Sequence, residues 1–244
     1  MAEKESKNKW HTPAERIMML GFAAVILLGT ILLCLPVSAA DGKSVYWLDA
    51  LFTATTSVCV TGLVTVPTAT TWSTFGKIVI LGLIQFGGLG IMACLTMVFL
   101  ILRRKISLQS RKLIQDTYNL PVLKGSVGIV RKLLIGTAAV ELAGAFFYSF
   151  WFVPEYGFWK GIGYSLFHSV SAFCNAGIDL VGESSFAPFV TNPLINFTTM
   201  GLIFLSALAF RFWWEVLERV QDLVKGKRTR KTSCAASRST PNWF

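Results

Sequence analysis

Two short stretches carry residue types that could handle a cation without a fixed charge. Thr55 to Gly62 reads TTSVCVTG, and Phe167 to Leu180 reads FHSVSAFCNAGIDL. Each runs through small residues to a glycine, and glycine reaches backbone conformations closed to other residues. Backbone freed in this way can turn successive carbonyl oxygens toward one axis, where they replace the water around an ion. A short helix ahead of each glycine would aim its C-terminal dipole at the same axis. A plainer reading of Gly62 and Gly177 is that each only terminates a short helix. A rival chemistry rests on Glu141, His168, Cys174 and Asp179. His168 and Cys174 are two metal-ligating types without a third, which falls short of a site. Glu141, His168 and Asp179 show no recognisable catalytic spacing, which counts against a membrane-embedded enzyme.

The two stretches are copies of one unit. Asp49 to Leu63, DALFTATTSVCVTGL, aligns without gaps on Tyr164 to Ile178, YSLFHSVSAFCNAGI, at a constant offset of 115 residues. Leu51/Leu166, Phe52/Phe167, Cys59/Cys174 and Gly62/Gly177 are identical, and Thr56/Ser171, Ser57/Ala172 and Leu63/Ile178 are close in size. Four identities carry little alone. What adds weight is the shared setting: apolar helix, short amphipathic helix, glycine-ended run, apolar helix.

Composition fixes the surroundings. The chain is 53% hydrophobic and 15% charged with mean hydropathy +0.57, a polytopic membrane composition. Ile17 to Val37 is 21 residues without a charge and Ile78 to Leu102 is 25, against the roughly 20 that a spanning helix needs. The segments Met1–Arg16, Arg103–Lys132 and Arg211–Phe244 hold 20 of the 23 Lys and Arg but 7 of the 13 acids. Basic residues stay cytoplasmic, so both termini and the central loop are expected inside. The net charge of +10 is then a topology signal. Nucleic-acid binding would need an aromatic-rich basic motif, which is absent. The five cysteines, Cys34, Cys59, Cys94, Cys174 and Cys234, give no disulfide framework or metal spacing.

Along the chain this predicts a cytoplasmic N-terminus (1–16), a first unit (17–102), a basic cytoplasmic loop (103–132), a second unit (133–222) and a basic polar tail (223–244). The loop could serve as topology signal alone or also touch anionic lipid or an acidic partner. Val37-Ser38-Ala39 has the small residues of a signal-peptidase site, but the preceding run exceeds the ~7 to 15 residues of an h-region, favouring a retained helix. Ala50 to Ser57 makes barely two helical turns, and β-branched Val58 and Val60 would not extend it readily. A half-spanning helix followed by extended backbone is the natural reading. Were Tyr46 to Val66 a full span instead, Arg103–Lys132 would lie outside with eight basic residues and one acid, against the charge rule. Gly82, Gly87, Gly88 and Gly90 permit close approach or a bend in the second span. Leu133 to Val153 is the third span and contains Glu141, a costly carboxylate that must face protein or water. A hydrogen-bonded structural role and a part in ion passage are both open for it. Trp159 to Ala172 is the second short helix, and Leu194 to Phe210 the fourth span.

DALFTATTSVCVTGL, the following IQFGGLGIM (Ile84 to Met92) and FHSVSAFCNAGIDL resemble the Trk/Ktr/HKT superfamily of potassium transporters, and within it the membrane subunit of bacterial Ktr systems. The resemblance covers most of residues 17–222. It implies an all-α membrane fold of outer-helix, pore-loop, inner-helix repeats, four around one pore, with one selectivity-filter glycine per repeat. It assigns that role to Gly62 and Gly177, and the ion path to the carbonyls of Val60, Thr61, Asn175 and Ala176. It also implies K⁺ as the transported ion, with Na⁺ dependence open and no cofactor in this chain, together with a homodimer, contact with membrane lipid and a cytoplasmic nucleotide-binding regulatory subunit. Only two of the four repeats are present, so half the filter and the third-repeat gating region are missing. Ser206-Ala207-Leu208-Ala209 stands where the first unit has Gly87-Gly88-Leu89-Gly90, and Thr232 to Phe244 lacks the apolar helix of a third repeat. A truncated or frameshifted reading frame, giving a non-conducting fragment, would produce this; an ordinary polar tail is the other reading.

Overall fold

The computed structural model describes residues 14–90, 93–94, 96, 126–182 and 184–208. Residues 1–13, most of the basic loop, Glu183 and the tail from residue 209 lie outside the described residues. The described residues up to Ser206 form one compact unit. Its α-helices are α1 (Ala14–Cys34), α2 (Trp47–Val58), α3 (Thr68–Thr71), α4 (Thr74–Leu89), α5 (Ser126–Tyr156), α6 (Phe158–Phe173) and α7 (Pro193–Ala207). Single 3₁₀ turns occupy Pro36–Ser38 and Ala187–Phe189. Among the described residues there is no strand, only an isolated antiparallel bridge between Ala39 and Trp72.

Helix ends follow local chemistry. Pro36 cannot continue α1, and the residue before it, Leu35, is extended at φ −66° and ψ 140°. Ser38 and Ala39, the small residues of the signal-peptidase-like site, are buried against the start of α4: Ser73 N–H donates to the Ser38 carbonyl at 2.8 Å. Ser73 caps α4, its hydroxyl accepting from Gly76 N–H at 3.2 Å. Thr55 and Ser57 sit inside a helix in apolar surroundings because their hydroxyls donate back to the Leu51 and Thr53 carbonyls at 2.7 and 2.6 Å.

One expected span is interrupted, and one helix starts earlier than the expected third span. Ile78 to Leu102 is not one unbroken helix: α4 stops at Leu89, where Gly90 takes φ +81°, and helical backbone is present again at Ala93, Cys94 and Thr96. A residue of the wrong hand interrupts the helical ladder, and Gly90 N–H bonds the Gly87 carbonyl three residues back. Helix α5 begins at Ser126, inside the expected loop Arg103–Lys132. Val127, Val130 and Leu134 form an apolar stripe there, with Val130 buried against Ala93, so Arg131 and Lys132 ride on a helix. Among the described residues, Val130–Tyr156 of α5 is the stretch long and apolar enough to cross a bilayer; Met18–Cys34, Thr74–Leu89 and Pro193–Ala207 are apolar but shorter.

Helix α1 packs on α2 and α4, α5 packs on α6, and α4 also touches α6. The outward faces are apolar: Phe146, Phe150, Phe197 and Phe204 are each more than half exposed. A water-facing surface scatters such residues among polar ones, whereas a helix bundle in lipid presents them together.

Helix α4 approaches its neighbours closely through glycines. A Cβ on Gly87 would lie 2.1 Å from the Val58 carbonyl oxygen, and one on Gly88 would lie 2.4 Å from Cys174 Sγ, while Gly82 faces open space. Gly87→Ala must push back the end of α2, so it should destabilise the fold by about 1 to 3 kcal/mol. Gly82→Ala should be neutral or slightly stabilising, because alanine is the better helix former by ~1 kcal/mol. Thermal unfolding in detergent checks the pair; equal midpoints would contradict the packing described.

Candidate ion-coordinating site

Helix α2 ends in a Schellman-type cap. Val58 is its last helical residue, Cys59 is right-handed at φ −83° and ψ −1°, and Val60 is left-handed at φ 52°. Thr61 N–H then reaches the Thr56 carbonyl at 3.0 Å, the six-to-one bond of that motif. Gly62 follows with φ +80°. The Thr56 hydroxyl accepts from Leu63 N–H at 3.1 Å, tying the chain beyond the glycine to the helix.

Helix α6 ends in the same way, 115 residues later. Cys174 is right-handed at φ −74° and ψ −4°, Asn175 is left-handed at φ 58°, and Gly177 has φ +69°. Ala176 N–H bonds the Ser171 carbonyl at 2.8 Å, and the Ser171 hydroxyl donates to the Ile178 carbonyl at 2.6 Å. Gly62 and Gly177 are therefore not the helix terminators: Val60 and Asn175 hold the left-handed cap position, and the glycines lie two residues beyond. The expected extended backbone is also corrected. Left-handed residues at 60 and 62, and at 175 and 177, flank Thr61 and Ala176.

The two glycines meet. A Cβ on Gly62 would lie 2.6 Å from the Ala176 carbonyl oxygen and 3.4 Å from Gly177 Cα, and one on Gly177 would lie 3.6 Å from Gly62 Cα. A cavity of about 290 Å³ adjoins them, walled by Gly62 and Val64 to Thr68 on one side and by Gly177 to Asp179, Gly182 and Ser185 on the other. Asp179 accepts from Val181 N–H at 3.0 Å and from the Ser185 hydroxyl at 2.5 Å, which folds the loop beyond the second glycine.

The rival chemistry loses its residues to structure. His168 is buried, stacked on Phe152 and Phe186 with ring centroids 4.8 and 5.2 Å away. Its Nδ1 faces the Tyr164 carbonyl at 2.7 Å and its Nε2 accepts from Leu180 N–H at 3.1 Å, which assigns a neutral Nδ1–H ring. It clamps α6 to the chain beyond Gly177. Glu141 is buried on α5 and accepts from Gln85 Nε2 on α4 at 3.0 and 3.3 Å. Glu141, His168 and Asp179 thus belong to separate hydrogen-bond sets.

Sequence reasoning missed two participants, Gln85 and Ser206, and the left-handed conformation of Val60. Asn175 Nδ2 donates to Ser206 Oγ on α7 at 2.9 Å. Ser206 begins the segment that stands in place of Gly87-Gly88, so the second unit uses a hydrogen bond where the first uses bare backbone. Only the departure from the glycine pattern hinted at it.

Two helices that end in matched caps and bring glycine turns together inside an all-α bundle with an apolar exterior have the character of a membrane protein. Comparison with known proteins gives the family. The chain belongs to the TrkH family of cation transport proteins, whose family model matches residues 7–233, and it is accordingly a membrane protein. It is 38% identical over 218 residues to Ktr system potassium uptake protein B of Bacillus subtilis, covering 88% of this chain and 48% of that protein. It is 40% identical over 214 residues to potassium/sodium uptake protein NtpJ of Enterococcus hirae, covering 88% and 47%, and 36% identical over 220 residues to Ktr system potassium uptake protein D of Bacillus subtilis, covering 90% and 48%. The chain spans about half the length of these relatives.

The two caps differ in strain. A β-branched residue in the left-handed region costs roughly 1 to 2 kcal/mol, whereas asparagine visits it readily. Val60→Asn should therefore raise the unfolding temperature. Asn175→Val should lower it by more, since it adds the strain and also removes the bond to Ser206, worth about 1 kcal/mol. Shifts of equal sign in the two variants would contradict the caps.

Proposed function

We propose that this chain contributes to a K⁺ uptake pathway in the cytoplasmic membrane, with Val60, Thr61, Gly62, Asn175, Ala176 and Gly177 as a carbonyl-lined selectivity filter. The observation that carries the reading is the meeting of Gly62 and Gly177, with the Ala176 carbonyl against Gly62. Two segments 115 residues apart in sequence gain nothing from bare backbone at one point unless that point must stay free of side chains. The carbonyl ends of α2 and α6 lie just before it, so their dipoles favour a cation there. A partly dehydrated ion would exchange water for carbonyl oxygens, and the adjoining cavity would admit it.

In this reading each unit is an outer helix, a half-spanning pore helix with its filter strand, and an inner helix: α1, α2 and α4, then α5, α6 and α7. The chain is multi-pass with both termini cytoplasmic, as the distribution of Lys and Arg supports. A longer assembly, a homodimer and lipid around the apolar faces complete the proposal. The word system in the names of two relatives fits further components, for which a cytoplasmic nucleotide-binding regulatory subunit is proposed. The name potassium/sodium uptake protein makes Na⁺ the second ion to test.

The test is growth of a potassium-uptake-deficient bacterium at limiting K⁺. Gly62→Ala places a methyl group against the Ala176 carbonyl at a backbone angle costing about 1 to 2 kcal/mol for an L-residue, and should reduce uptake to background while the protein still inserts. Gly82→Ala should leave uptake unchanged. Full uptake by Gly62→Ala would overturn the filter. Insertion of the unaltered chain without uptake would assign conduction only to an assembly with further repeats, the second reading, which the half-length coverage of the relatives favours.

A further inference from the structure

We propose that Glu141 is a positioning residue that acts through Gln85: it holds Cys174, and with it the Asn175–Gly177 strand, in register with the strand at Val60–Gly62. This rests on the filter reading above and adds what keeps the two strands together.

The inference starts from a carboxylate that the site does not use. Glu141 lies in the apolar stretch of α5 and is 7% exposed. A carboxylate there is retained only with partners. Its partner is a neutral amide: Gln85 Nε2 donates to both carboxylate oxygens, at 3.0 and 3.3 Å. The other end of the same amide, Oε1, accepts from Cys174 Sγ at 3.8 Å. One side chain on α4 thus joins α5 to the residue that caps α6 and immediately precedes the second filter strand. The backbone of Glu141 closes the loop, its carbonyl accepting from the Ser169 hydroxyl on α6 at 2.6 Å.

The placement of Gln85 makes this more than a local bond. Gln85 and Gly88 are three residues apart and share a face of α4. Gly88 packs directly on Cys174, and Gly87 on the Val58 carbonyl at the end of α2. So α4 touches both caps, one by bare backbone alone and the other by backbone plus amide. Packing alone does not fix the rotation of Cys174, whereas an amide pinned at its nitrogen end by a carboxylate presents its oxygen in one direction. A lone amide in that position could flip or swing; the acceptor oxygens of Glu141 select the orientation with nitrogen toward α5.

The test reads Cys174 directly and needs no transport. With Cys34, Cys59, Cys94 and Cys234 replaced by Ser, N-ethylmaleimide labelling of Cys174 is timed in membranes containing the full-length chain. Glu141→Ala and Gln85→Ala should each speed labelling by about tenfold, the signature of a locally loosened element. Glu141→Gln, which can still accept from Gln85, should stay near the parent rate, and the exchanged pair Gln85→Glu with Glu141→Gln should restore it. Gly76→Ala, which crowds the Ser38 carbonyl at the far end of α4, serves as the general destabilisation control and should leave the rate unchanged. Equal rates in all variants would overturn the proposal. So would a Glu141→Gln rate matching that of Glu141→Ala, since the charge itself would then be required. Because the readout is chemical, its failure is separable from failure of the filter reading, which Gly62→Ala tests through uptake.

Discussion

Everything in this structure depends on how α2 and α6 stop. Each ends in a left-handed residue followed by a six-to-one hydrogen bond, Thr61 to Thr56 and Ala176 to Ser171. That cap satisfies the N–H of Thr61 and of Ala176 on the helix side. It also sets the glycines two residues past the left-handed Val60 and Asn175, where a positive φ can be held without side-chain cost. The hydroxyls of Thr56 and Ser171 then tie down Leu63 and Ile178, so each strand is fixed at both ends by its own helix.

A strand fixed to its own helix still has to be aligned with the other, and α4 supplies the common wall. Gly87 and Gly88 let its backbone lie against the caps of α2 and α6. Gln85 adds a polar link from the same face to Cys174 and Glu141. In apolar surroundings, where association gains little from hydrophobic burial, small residues and interhelical hydrogen bonds hold helices together. The second unit is held differently, through Asn175 to Ser206 and Tyr148 to Thr199. The two halves therefore share a backbone design while their supporting contacts have diverged.

The backbone design was legible because it is written twice. Repetition at a constant offset marked the short helices and the glycines, and the charge distribution marked the basic segments. What escaped had no local signature. Valine is a poor choice for a left-handed position, so nothing in VCVTG announces that Val60 occupies one. Gln85 and Glu141 are 56 residues apart, and no periodicity connects an amide on one helix to a carboxylate on another. The break at Gly90 was visible as a glycine among several, but only its φ separates it from Gly87 and Gly88, which are helical. Arg131 and Lys132 masked the start of α5, since two charges outweigh a stripe of valines in a hydropathy reading although a helix accommodates both on different faces.

The measurement that bears most directly on the account is the position of a bound heavy cation, Rb⁺ or Tl⁺, found by anomalous scattering from crystals of the protein in its native assembly. The account predicts a peak between the Val60–Gly62 and Asn175–Gly177 strands, coordinated by backbone carbonyls, and none at Glu141. A cation held instead by the carboxylates of Glu141 or Asp179, with the glycine strands vacant, would contradict it.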